Sequence, residues 1–189
     1  MKTACTLFYR EGFRAVGIDR IIEEASVAKM SFYRYFPSKS DLIAAFLRKR
    51  HDDWMAWFTA DVEVRIAAER SGLEVIAETL RSWFRQPDFR GCAFINTVAE
   101  TSDHSSELAR IAREHKADLE VFIEKLAARL SLPAPKETAA AAMIIVEGAI
   151  VRAQITGNPE IASACKPLLA ALGAGGGLTL SSAARSQSR

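Results

Sequence analysis

Apolar positions recur every three or four residues along almost the whole chain, and no stretch alternates with the two-residue period of a strand. Near the start, Ile18, Ile21, Ile22 and Ala25 line one face of a short helix. A break at Ser26-Val27-Ala28 leads into a second short helix, in which Phe32 and Phe36 lie four apart and should face inward, onto Leu7, Ile21 and Ile22. Pro37 stops that helix and another restarts at Ser38, where Ser38 can cap and Asp41 can return the bond. Leu73, Ile76, Leu80, Trp83 and Phe84 mark an amphipathic helix ended by Pro87. Leu108, Ile111, Ala112, His115, Leu119, Phe122, Ile123, Leu126 and Leu130 mark a longer one, closed by Pro133 and Pro135. Residues 136–156 are rich in Ala and Ile; Gly157 should end their helix, Asn158 cap the next and Pro159 take its first position. The last helix runs to about Leu172. The pattern predicts an all-α chain of about nine helices without internal repeat.

Composition narrows this picture. With 49% hydrophobic residues in 189, there is ample material for a core. No uninterrupted apolar run approaches the roughly 20 residues of a membrane helix, and Lys2, Thr3 and Arg10 interrupt any signal-peptide stretch. Three widely spaced cysteines, an odd number, argue against a disulfide framework and fit a reducing cytoplasm. The net charge of +2 is unevenly divided: residues 1–50 hold ten Lys/Arg against five Asp/Glu, whereas the remainder is slightly acidic. Chance asymmetry could give this, but two short helices joined by a tight break form a helix-turn-helix, whose second helix enters the DNA major groove. A basic head suits that work.

The run Leu7-Phe8-Tyr9-Arg10-Glu11-Gly12-Phe13-Arg14-Ala15, with Ile18-Asp19, Ala25, Val27-Ala28-Lys29, Phe32-Tyr33-Arg34-Tyr35-Phe36 and Ser38-Lys39, resembles the N-terminal domain of the tetracycline-repressor (TetR) family of transcriptional regulators. Phe89-Arg90-Gly91-Cys92-Ala93-Phe94-Ile95-Asn96, Val146-Glu147-Gly148-Ala149 and Thr156-Gly157-Asn158-Pro159 are similar to one branch of it. The resemblance implies a three-helix DNA-binding domain over residues 1–45 and a larger helical ligand-binding and dimerisation domain over 46–173. The Gly- and Ser-rich residues 174–189 read as a disordered tail. Expected DNA contacts are Lys29, Met30, Ser31, Tyr33, Arg34, Tyr35 and Lys39, Lys39 meeting a phosphate at a helix start. The other reading of Tyr33 and Tyr35 is half-buried packing. Several positions depart from the family pattern. Val16 and Gly17 stand where a Thr or Ser caps, Ser26 replaces a turn glycine, Ala28 replaces a capping hydroxyl, and Met30 replaces a small residue. The chain also begins inside the first helix, which suggests a start further upstream. These departures put the strength of DNA binding, more than the fold, in question.

For the body, the resemblance implies an operator-binding homodimer that answers a small apolar or aromatic effector. Candidate pocket residues are Trp54, Trp57 and Phe58, expected to close the helix after Pro37, with Trp83, Phe94, Asn96, His115, Phe122 and Glu147; Gln154 is a further inward polar candidate. An aromatic stripe at helical spacing can equally be plain core. Residues 136–172 are too apolar to face water and suggest a homodimer surface, unless both helices bury within one subunit. Cys92, beside Gly91 at a helix start, is a candidate redox residue or simply a buried small hydrophobe. His51, His104 and His115 lack metal-ligand spacing, and His51-Asp52-Asp53 reads as solvated. No serine elbow or phosphate loop is present, so neither an enzyme nor a cofactor or metal protein is expected. The competing class is a ligand-binding or interaction dimer with weakened or lost DNA binding.

Overall fold

The computed structural model describes residues 1–69, 72–101 and 103–173. Among them the fold is all-α, with nine helices: α1 Lys2–Glu11, α2 Ile18–Glu24, α3 Lys29–Tyr35, α4 Lys39–Glu69, α5 Val75–Phe84, α6 Ala93–Glu100, α7 Glu107–Arg129, α8 Pro135–Thr156 and α9 Ile161–Gly173. The expected tail at 174–189 lies outside the described residues.

Local chemistry accounts for most boundaries. Ser38 Oγ accepts from the Asp41 amide at 3.1 Å while the Asp41 carboxylate accepts from the Ser38 amide at 2.9 Å, so the box that starts α4 forms as expected. Ser106 caps α7 by accepting from the Ala109 amide. Gly157, left-handed at φ 63°, ends α8. Asn158 Oδ1 accepts from the Glu160 amide, but α9 begins at Ile161, two residues after the position expected for Pro159. After α2, the Val27 amide donates to Ile22 O and the Ser26 amide to Glu23 O, a Schellman closure that puts Ser26 at φ 51°. A residue with a Cβ costs roughly 1 kcal/mol there, so the missing turn glycine leaves strain in the head.

The head is built on Phe8, Phe13 and Phe46, whose rings meet edge-on at 5.5–6.0 Å. Phe46 belongs to α4, which runs unbroken through position 45, so head and body share a helix. Trp54, Trp57 and Phe58 therefore sit mid-helix rather than closing it, because α4 continues to Glu69. In the body, α4 and α6 pack on α7, α7 on α8, and α5 and α8 on α9. One contiguous cluster of buried side chains runs from Ala4 to Leu169. Although interrupted by Glu147 and Arg152, the 22-residue α8 contains an 18-residue stretch with a mean hydropathy of 1.5, enough by length and composition alone to cross a membrane. Its row Ala142, Val146, Ala149, Ile150 and Ala153 is instead buried inside the fold.

Candidate DNA interface and effector site

On α3, Phe32 is buried and anchors the helix, its ring 5.7 Å from Phe36 and 5.4 Å from Tyr33. The remaining residues point outward: Met30 is 87% and Tyr35 68% exposed, Tyr33 is partly exposed, and Ser31 and Arg34 are exposed. The Arg34 guanidinium lies over the Tyr35 ring at 5.3 Å. Lys29 is engaged within the head, its Nζ donating to Asp19 Oδ1 at 2.9 Å, and that carboxylate raises the ammonium's pKa. Neither α2 nor α3 has a side-chain cap, since Gly17 and Ala28 stand at those positions. Lys39 opens α4 within the Ser38–Asp41 box.

In the body, seven of the nine candidate pocket residues converge. Trp54 stacks on Phe58 at 4.6 Å and meets Trp83, His115 and Trp57 at 5.2–6.3 Å. Phe94 stacks on His115 at 3.7 Å, and Phe122 meets Phe58 at 6.0 Å. The cluster is tightly filled: the cavity beside Trp54, Phe94 and His115 holds about 10 Å³. His115 pairs Nδ1 to Nδ1 with His51 at 3.1 Å, and burial, then the charges of Lys116, His51 and Arg50, push its pKa down to about 3. His51 is thus half-buried against the body, not solvated as expected. Cys92 is buried, caps no amide with its side chain, and lines the same cavity.

Asn96 and Glu147 stand apart from the cluster. Asn96 donates to Arg90 O and accepts from Gln154 Nε2, both at 3.1 Å. Gln154 is exposed, contrary to its expected inward position. Glu147 pairs with Lys116 at 3.1 Å beside an apolar groove of about 430 Å³ lined by Phe94, Ile95, Val98 and Ala112.

A second set of contacts clasps head to body. Glu100, at the end of α6, accepts from the Phe13 amide at 2.9 Å and the Arg14 amide at 3.2 Å, while Arg14 Nη2 donates to Glu100 O at 2.9 Å. Tyr9 Oη donates to Gly91 O at 3.0 Å and accepts from the Arg90 amide at 3.1 Å. The Arg50 guanidinium covers the Tyr9 ring at 4.2 Å. Gly12, at φ 82°, makes the Glu100 contact possible, for a Cβ there would stand 2.9 Å from Glu100 Oε1. Sequence reading missed Tyr9, Arg50 and Lys116. The hydrogen-bonded positions of the clasp are more than 80 residues apart and leave no local periodicity.

The fold and these sites define an all-α helix-turn-helix protein with a larger helical body. Residues 1–46 match the sequence pattern of bacterial regulatory proteins of the tetR family. A TetR-family transcriptional regulator from Streptomyces coelicolor superposes with a TM-score of 0.78 at 27% identity, over 90% of each chain. NemR of E. coli in its reduced form shares the fold, with a TM-score of 0.76 at 19% identity over 89% of this chain and 92% of that one. A helix-turn-helix-type transcriptional regulator from the lacX 3′ region of Lactococcus lactis subsp. lactis is 25% identical over 154 residues, 79% of each chain. Residues 1–46 thus carry the tetR-family pattern, and over 90% of its length the chain is similar in fold and sequence to a TetR-family regulator.

Proposed function

We propose that this protein is a cytoplasmic, homodimeric repressor that binds a near-palindromic DNA operator and is released by a small apolar or aromatic effector. Similarity to TetR-family regulators supports ligand-responsive transcriptional regulation in general. The observation that carries the finer reading is α3, fixed from beneath by buried Phe32 while Met30, Ser31, Tyr33, Arg34 and Tyr35 project outward without ion-pair partners among the described residues. Side chains so displayed can reach base edges, while Lys39 at the start of α4 suits a phosphate. In this reading residues 1–45 bind DNA, 46–173 bind effector and dimerise, and 136–172 form the dimer contact.

A second reading has one observation in its favour. Lys29 is committed to Asp19, and the two helix-turn-helix helices lack capping side chains, which suits an effector-binding dimer with weakened operator affinity. Genomic fragments captured by the purified protein, sequenced and compared with those captured by Tyr33→Ala, separate the two. The repressor reading expects a short near-palindrome whose enrichment the variant loses, with Lys39→Ala weakening binding at least tenfold, as loss of a phosphate contact should. Equal capture by Tyr33→Ala removes α3 as the reading surface, and no enriched sequence from a folded dimer favours the second reading.

A further inference from the structure

The small cavity in the body has an unusual balance of donors. Trp54 is 7% exposed, its Nε1–H is buried, and it makes no hydrogen bond. Lys116 Nζ is buried as well; its pairing with Glu147 at 3.1 Å is not in hydrogen-bonding geometry. Arg50 lines the cavity with them and forms no ion pair among the described residues, its guanidinium resting instead on the Tyr9 ring. Among the described residues, no Asp or Glu lines this cavity. Two cationic side chains and an indole whose N–H lacks an acceptor therefore border a space whose lining includes no carboxylate, the nearest being Glu147 on the far side of Lys116 Nζ. A buried donor without an acceptor is destabilising, and an acceptor brought in from outside would relieve this.

Resting on the reading that the body takes an effector, we propose that the effector is a small apolar carboxylic acid, its carboxylate held by Arg50, Lys116 and Trp54 Nε1. The closed space of about 10 Å³ is of the order of one water molecule, so the carboxylate enters as side chains shift. The apolar part lies in the adjoining groove of about 430 Å³, because Phe94 and Lys116 line both spaces. The same geometry couples the site to the head. Arg50 drawn toward a carboxylate leaves the face of Tyr9, whose hydroxyl ties α1 to Gly91 and Arg90. Differential engagement of Arg50 gives the effector unequal affinity for the clasped and unclasped states, which is what coupling requires.

The test follows the indole N–H resonances of ¹⁵N-labelled protein. There are three tryptophans, and Trp54→Phe assigns the signal of Trp54. Benzoate or hexanoate should move that signal with a Kd of about 1 mM or below, and neutral benzamide should bind at least tenfold more weakly. Arg50→Leu and Lys116→Met should each weaken benzoate binding roughly tenfold, the scale of a lost charge-assisted hydrogen bond, while Arg50→Lys retains most of it. Thermal melting verifies that each variant is folded. Benzamide binding as well as benzoate, unchanged affinity in both charge variants, or no shift with either acid at about 10 mM overturns the proposal. Operator binding by the unsubstituted protein is read separately. Acid binding lost with DNA binding intact sinks only the effector class, and the reverse sinks the regulator reading.

Discussion

His115 lies between the stacked Phe94 ring and the edge of Trp54, with Lys116 next in the chain and His51 in contact. A proton on this imidazole would be buried and surrounded by positive charge, which is why its pKa falls from 6.5 to about 3. One ring of the His51–His115 pair must donate through Nδ1, and with His115 neutral the two can share a single proton between them. The folded pKa lies below the unfolded one, so between the two values the unfolded chain binds the extra proton. This contribution to stability is fully present above about pH 6.5 and is lost as pH falls toward 3. The slope is at most about 1.4 kcal/mol per pH unit. Urea unfolding at pH 7 and pH 5 should show a loss about 2 kcal/mol larger for the parent than for His115→Leu; equal losses would mean that His115 is not held neutral. Helical phasing found His115 in the sequence. His51 escaped because Asp52 and Asp53 beside it suggested solvent, yet Leu47, His51, Trp54, Phe58 and Val62 follow helical spacing along one face of α4. Periodicity over the whole helix was the better signal than immediate neighbours.

Helix α6 is only eight residues long and touches both working parts of the protein. Its first turn carries Phe94 onto His115, and its last residue, Glu100, receives two amides from the α1–α2 turn. A displacement at one end therefore changes hydrogen bonds at the other, without passing through α4. Glu100→Ala leaves the Phe13 and Arg14 amides without their carboxylate acceptor, at an expected cost of about 1–2 kcal/mol. Hydrogen exchange should show these two amides opening faster while amides in the centre of α7 keep their protection. Unchanged exchange at both would show that the clasp does not hold the turn in solution. Glutamate at a helix end reads as solvated in any local window, so this contact was illegible, whereas α5, α7 and the capping box, whose determinants are local, were read correctly.

At the scale of the molecule, α8 has apolar residues on both sides. One row is buried against α7 and α9, while on the other Ile144 is 72% and Ile155 78% exposed, with Val151 between them and Leu168 of α9 also exposed. A Cβ added at Gly148 on the same stripe would meet nothing within 4 Å outside its own helix, leaving room for a close approach. Length and hydropathy would also let α8 cross a membrane, but insertion would tear its buried row from the core and carry Glu147 and Arg152 into lipid. In the proposed dimer a second copy of the chain would meet the exposed row at no such cost. It also explains how two heads could read one site, since recognition helices must stand about 34 Å apart to meet successive major grooves. Ile155→Glu places a charge within that contact, where a buried unpaired carboxylate is not tolerated. Sedimentation at micromolar concentration should find the parent a dimer and the variant a monomer, with the same helical content, because Ile155 contributes little to the subunit's own core. Operator affinity should then fall far more steeply than for Lys39→Ala, since half the contacts are lost at once. A variant that stays dimeric would place the interface elsewhere, and a parent that is itself monomeric would remove the two-fold reading of the operator.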